Sequence, residues 1–225
     1  MTTAPSRSRL STEPRASASG HNEMLRVGLT GGLASGKSFV AHHLAQLGCH
    51  IIRADDLGHA VIAPGGEAWG PVVALFGNGI LRENGEIDRR TLGALVFDQP
   101  DRLAALNAIM HPLIFRRQER LIADAEASAP RGIAVVEAAI MFETGSHTRY
   151  QKIIVASCTE AQQIERAMKR DHLTREQVES RLARQLPLAE KVKRADYVID
   201  TSGTKEDTVR QTEQVYESLR SIAQL

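Results

Sequence analysis

Gly31-Gly32-Leu33-Ala34-Ser35-Gly36-Lys37-Ser38 is the stretch that decides the fold. It fits the phosphate-binding loop pattern G-x-x-x-x-G-K-[ST] without a gap. Before it, Leu25 to Thr30 reads as a short buried strand. After it, Val40, Leu44 and Leu47 recur at helical spacing. Strand, glycine loop and helix is the context the motif requires. Glycines let the backbone wrap closely around a polyphosphate, with successive N–H groups turned inward. The helix starting near Gly36 aims the positive end of its dipole at the same anion. The expected nucleotide-binding set is Gly32, Leu33, Ala34, Ser35, Gly36, Lys37, Ser38 and Phe39. Within it, Lys37 reaches the β- and γ-phosphates and the Ser38 hydroxyl ligates Mg²⁺.

The 225 residues carry 28 Lys and Arg against 27 Asp and Glu, a net charge of +1. That balance gives no argument for a nucleic-acid or membrane partner. Hydrophobic residues make up 42% of the chain and aromatic ones only 4%, so Leu, Ile, Val and Ala must build the core. The length fits one α/β core with a helical lobe. Cys49 and Cys158 show no metal-ligand spacing and read as buried thiols of a cytoplasmic protein. No apolar run reaches the roughly 18–20 residues that span a bilayer. Residues 1–23, rich in Ser, Thr, Ala, Arg and Pro, lack the apolar centre of a secretory signal and are expected to be a disordered extension. Met24, beside the first strand, is an alternative start.

Downstream, Gly48 is a plausible helix stop, and Cys49 to Arg53 reads as a second strand running into Ala54-Asp55-Asp56. An aspartate there has two readings. It can accept or orient the proton of an acceptor hydroxyl, or it can cap a helix from Leu57 to Ile62. The neighbouring phosphate loop favours the catalytic role for Asp55. Trp69 to Phe76 is amphipathic, and Asp88 is placed to cap a helix reaching Phe97. Arg89 and Arg90 in its first turn oppose the dipole, so either one meets an anionic ligand or both lie on a solvated face. Asp101 to Ala127 is helical with an expected interruption at His111-Pro112. Taken alone, His111 reads as a packed histidine. Ile133 to Glu137 is a buried strand ending in an acid at the position where Mg²⁺ is held directly or through water. Lys152 to Ala156 is another strand, and Thr159 caps a helix to Arg170. The basic run from Arg166 to Arg194 reads as a mobile helical lid, with Arg166 and Arg170 four apart on one helix face. Ala195 to Asp200 and Thr204 to Ile222 read as the last strand and helix. The alternation implies an α/β fold with a parallel sheet.

These motifs together resemble the dephospho-CoA kinase family, from about Leu25 to Ser221. The marks are Gly28-Leu29-Thr30-Gly31-Gly32, Ala54-Asp55, Asp88-Arg89 with Leu92 and Val96-Phe97, and His111-Pro112. Arg166 with Arg170-Asp171, Gln185, and Ala195 to Asp200 complete the set. The resemblance implies a P-loop kinase that transfers the γ-phosphoryl of ATP, with Mg²⁺, to the ribose 3′-hydroxyl of dephospho-CoA. It implies a core of residues 24–55, 131–165 and 195–225, a helical substrate-binding insertion over about 56–130 and a lid over about 166–194. Asp55, Lys37 and Arg166 would be catalytic, and Arg166 and Arg170 would contact the nucleotide from the lid. Ser38 and Glu137 would hold the metal, and Asp55, Asp88, Arg89 and His111 the acceptor. A small-molecule substrate and a monomer or weak homo-oligomer follow. The sequence departs from the family's usual residues at Phe39, Arg53, Ala139 to Glu143 and Thr201.

Three other functions share parts of this pattern. A P-loop kinase for a nucleoside, nucleotide or shikimate-like alcohol would use the same core. A guanine-nucleotide switch is disfavoured because the guanine-reading N-K-x-D motif is missing from the sequence. A nucleic-acid ATPase would need basic residues interleaved with aromatic ones.

Overall fold

A computed structural model describes residues 23–97 and 99–224. The expectation for residues 1–23 therefore falls, apart from Glu23, outside the described residues. Five strands form one all-parallel sheet in the order β2-β3-β1-β4-β5. They are β1 (Leu25–Gly31), β2 (His50–Arg53), β3 (Ile133–Glu137), β4 (Lys152–Ser157) and β5 (Tyr197–Asp200). The central strands are near-continuous apolar runs because helices cover both faces. On one face Val27, Leu29, Val135, Ile154 and Ile199 pack against α1 (Lys37–Gln46) and α9 (Lys205–Ala223) through Val40, Leu44, Val215 and Leu219. On the other face Ile52, Ala134 and Val136 meet Ile122 of α5 (Pro100–Ser128). Ile153 and Val155 on that face meet Leu188 and Val192 of α8 (Leu188–Val192).

The chain runs from β1 outward to β2, returns to β3 between them, and then crosses to β4 on the opposite side of β1. The strand order therefore reverses between β1 and β3. In such sheets the crevice beyond the carboxyl ends of those two strands is where ligands bind. The phosphate loop leaves β1 there, and Glu137 closes β3 beside it.

Helices α2 (Ala54–Ile62), α3 (Trp69–Phe76) and α4 (Arg89–Val96) gather with the first half of α5 around a separate apolar core. Two expected boundaries move. Helix α2 begins at Ala54, so Asp55 and Asp56 lie in its first turn, and no side chain caps it. The capping alternative for these aspartates is thereby removed. Helix α5 continues through Pro112 without interruption. An internal proline costs about 3 kcal/mol. The N-terminal half of α5 packs into the lobe through Leu106, Ile109 and Leu113, and its C-terminal half packs on the sheet through Ile122. Anchorage in two cores offsets the missing hydrogen bond. Asp88 caps α4 as expected, accepting from the N–H groups of Arg90 and Thr91. Strand β5 is shorter than expected, since the Asp196 carboxylate instead accepts from the Ile153 N–H at 2.8 Å.

The remaining helices are α6 (Glu160–Asp171) and α7 (Arg175–Leu182), each opened by a capping box, at Thr159–Gln162 and Thr174–Gln177. Among the described residues no helix is long and apolar enough to cross a membrane.

Candidate active site

The phosphate loop turns back on itself through two residues in the left-handed region, Ala34 (φ +53°) and Gly36 (φ +87°). A side chain at Gly36 would be strained there and would also press on Thr201, 3.0–3.1 Å from an added Cβ. At Gly32 a Cβ would collide with Gln163. Gly36 is thus required by its backbone conformation, and a side chain at Gly32 would displace the Gln163 carboxamide. The Leu33 peptide is held from both ends: Gln185 Oε1 accepts its N–H at 3.0 Å, and Gln163 Nε2 donates to its carbonyl at 2.8 Å.

Beyond the loop lies a cleft of about 390 Å³, lined by Leu33 to Phe39 together with Asp55, Glu137, Ala139, Arg166, Arg170 and Gln185. Of the expected nucleotide-side residues, Gly32 alone is not in this lining, facing instead the larger crevice between α6 and α8. Lys37 Nζ donates to the Gly32 carbonyl at 2.7 Å. Desolvation pulls its pKa down to about 8 against the opposing attraction of Glu137. Ser38 Oγ donates to Glu137 Oε1 at 2.8 Å, so the two expected metal ligands meet. The second oxygen, Glu137 Oε2, is buried and makes no hydrogen bond among the described residues; the Arg53 guanidinium stands 3.5 Å away. Arg166 donates to the Thr201 carbonyl at 2.8 Å, which fixes its guanidinium at the cleft edge. Arg170 forms a bidentate pair with Asp171 at 2.8 and 2.9 Å, and this pairing lowers the Asp171 pKa.

A second, narrower pocket of about 90 Å³ shares Asp55 with the cleft. Its other walls come from His111, Ile114, Phe115 and Gln118 of α5, from Ala138, Ile140, Thr144 and Ser146 after β3, and from Tyr150. His111 packs against Phe115, ring centroids 5.8 Å apart, and partial burial lowers its pKa. Asp88 and Arg89 line neither of the spaces that Asp55 faces. The Asp88 carboxylate is occupied by its cap and by Arg82 at 3.6 Å, and Arg89 is exposed at the start of α4.

The matching family profile, described as dephospho-CoA kinase, covers residues 25–207. The chain belongs to the dephospho-CoA kinase family. It is accordingly a phosphotransferase that uses ATP as phosphate donor. It is 43% identical to a dephospho-CoA kinase of Geobacillus kaustophilus over 83% of this chain and 92% of that one. It is 39% identical to a dephospho-CoA kinase domain-containing protein of Danio rerio over 89% and 88%. The solved structure of TT1252 from Thermus thermophilus superposes with a TM-score of 0.78 at 31% identity, covering 88% of this chain and 98% of that one.

Several residues that shape the site escaped the sequence-based argument. Gln163 gave no signal, being one polar residue on a polar helix. Thr201, read as a departure from the family, lies 2.9 Å from the Ser35 carbonyl and so braces the loop. Lys191 was read as part of the basic lid, yet its side chain is fully buried. Its position three residues after Leu188, which places the two on one helix face, is the available clue.

Proposed function

We propose that the chain transfers the γ-phosphoryl of ATP to the ribose 3′-hydroxyl of dephospho-CoA, giving coenzyme A and ADP. Membership of the dephospho-CoA kinase family carries the identity of the acceptor, and the geometry that fits the transfer is that of Asp55. This residue lines both the phosphate cleft and the pocket that contains His111, so one carboxylate faces donor and acceptor spaces together. In this role Asp55 orients the acceptor hydroxyl and takes its proton during attack. The backbone of residues 32–38 cradles the β- and γ-phosphates, and Lys37 neutralises charge on the transferring group. Arg166 and Arg170 screen the same charge from α6. A further cavity beside Ala34, Phe39, Arg166, Thr201 and Thr208 suits the adenosine of ATP.

Ser38 and Glu137 fit Mg²⁺, since Ser38 offers a hydroxyl and Glu137 a buried oxygen without a hydrogen-bond partner. When bound, the ion would neutralise phosphate charge and fix the polyphosphate's orientation. Residues about 56–130 are assigned as the acceptor-binding insertion, about 166–194 as the lid, whose last helix α8 is packed on the sheet, and 24–55, 131–165 and 195–225 as the core. His111 contacts the acceptor close to Asp55. Arg89 contacts its far end, with Asp88 holding Arg89 at the start of α4. We place the enzyme in the cytoplasm, as a monomer or weak homo-oligomer acting on a free small molecule.

The test is ADP release with MgATP and dephospho-CoA, adenosine, AMP, CMP or shikimate, with mass detection of product. Gain of one phosphoryl on dephospho-CoA alone is expected. Turnover only with another acceptor would overturn the acceptor assignment.

A further inference from the structure

Lys191 has the largest fully buried side chain among the described residues. It sits on α8, whose Leu188 and Val192 already anchor the helix to the sheet. Taking an ammonium out of water costs several kcal/mol unless it is paired and hydrogen-bonded. Here it is. Nζ donates to the Ala139 carbonyl at 2.8 Å and the Gly31 carbonyl at 3.4 Å, and it pairs with Glu143 Oε1 at 2.8 Å. The two carbonyls accept hydrogen bonds from the ammonium, and the Glu143 carboxylate balances its charge. Glu143 Oε1 also accepts from the Leu186 N–H at 2.9 Å.

The acceptors belong to different parts of the site. Gly31 opens the phosphate loop. Ala139 lines the phosphate cleft, and its neighbours Ala138 and Ile140 line the acceptor pocket. Leu186 follows Gln185, whose carboxamide holds the Leu33 N–H. One buried cation thus joins the start of the donor loop, the wall between donor and acceptor, and the segment that follows α7.

We propose that Lys191 is a positioning residue for phosphoryl transfer, holding the phosphate loop in register with the wall of the acceptor pocket. It touches neither substrate. It acts by fixing the separation of the Gly31 and Ala139 carbonyls, and hence the approach of the acceptor hydroxyl to the γ-phosphorus. A displacement of about 1 Å in such an approach can cost on the order of 100-fold in rate. This inference rests on the acceptor assigned above.

The test uses the full chain with Lys191→Met, which keeps an unbranched side chain of similar length, and Glu143→Gln, which keeps an acceptor for the Leu186 N–H. The measurements are kcat, both KM values, ADP affinity, melting temperature, and the ratio of ADP to phosphorylated product. For Lys191→Met we expect kcat to fall about 10- to 100-fold with ADP affinity within about threefold, and ADP to exceed product as water replaces the misaligned acceptor. For Glu143→Gln the same pattern is expected at about a fivefold loss of kcat. A lowered melting temperature with wild-type kcat and coupling, measured well below melting, would make Lys191 purely structural and overturn the inference. Should Lys191→Met fail to fold, Glu143→Gln decides alone. No turnover of dephospho-CoA by the wild-type chain overturns the acceptor assignment and this inference with it; wild-type turnover matched by the variants overturns the inference alone.

Discussion

The phosphate side of the cleft is built mainly on one unbroken run of chain, Leu33 to Phe39, with Glu137, Arg166, Arg170 and Gln185 added to it, whereas the acceptor side draws only on scattered segments: Ala54–Asp55, α5, the segment after β3 and Tyr150. On the phosphate side the loop backbone, Lys37 and Ser38 lie between β1 and the first turn of α1, and Arg166 and Arg170 are added by α6. On the acceptor side the working groups are side chains, brought together by the packing of α5 across the lobe and the sheet. The first kind of site is set mainly by local conformation. The second exists only once distant elements have docked, so its shape depends on cores that never touch substrate.

Asp55 belongs to both sides, so its replacement gives the largest effect. Asp55→Asn should lower kcat by about 10²- to 10⁴-fold and leave ADP affinity unchanged. Stopped-flow or coupled-assay rates beside calorimetric ADP binding check this. A near-wild-type kcat would assign Asp55 to neither side.

Lys37 tests the phosphate side alone. Lys37→Met should lower kcat/KM for ATP by about 10²- to 10³-fold and leave binding of dephospho-CoA intact. The wild-type pH profile carries the same information. Burial lowers the Lys37 pKa to about 8, and the proposed phosphate contact needs the protonated form. So kcat/KM for ATP should fall as pH rises through about 8, while kcat holds to higher pH because bound phosphates keep the ammonium charged. The Lys37→Met variant should lose that limb. The sign for stability is opposite. The folded pKa lies below the ordinary lysine value of 10.5, so the desolvation cost is present in full below about pH 8 and is relieved as pH rises towards 10.5.

His111 tests the acceptor side. His111→Ala should raise KM for dephospho-CoA about tenfold, equivalent to roughly 1.4 kcal/mol, with ADP affinity unchanged. A parallel loss of ATP binding would show that the two sides are not separable. The smallest effect is expected at Arg89, which is exposed and apart from both spaces that Asp55 faces. Arg89→Ala should raise the acceptor KM about two- to threefold, the scale of one solvent-exposed charge contact. An unchanged KM would remove α4 from the site.

Where the physics is local, the sequence carried it. The cap at Asp88 and the cap at Thr159 each depend on residues within a few positions, and each stands where it was expected. The buried runs Leu25–Gly31 and Ile133–Glu137 likewise follow from apolar content, because a strand covered on both faces must be apolar throughout. Tertiary structure decided the rest. Pro112 reads as a helix break, yet packing into two cores carries α5 straight through it. Asp55 sits in the first turn of α2, and its position between two pockets follows from the placement of β2 next to β3. Lys191 looks like one of many exposed cations until Gly31, Ala139 and Glu143 converge on it from 160, 52 and 48 residues away. A local pattern can specify a turn or a cap, but the pairing of a buried charge is fixed only by which distant carbonyls the fold delivers to it.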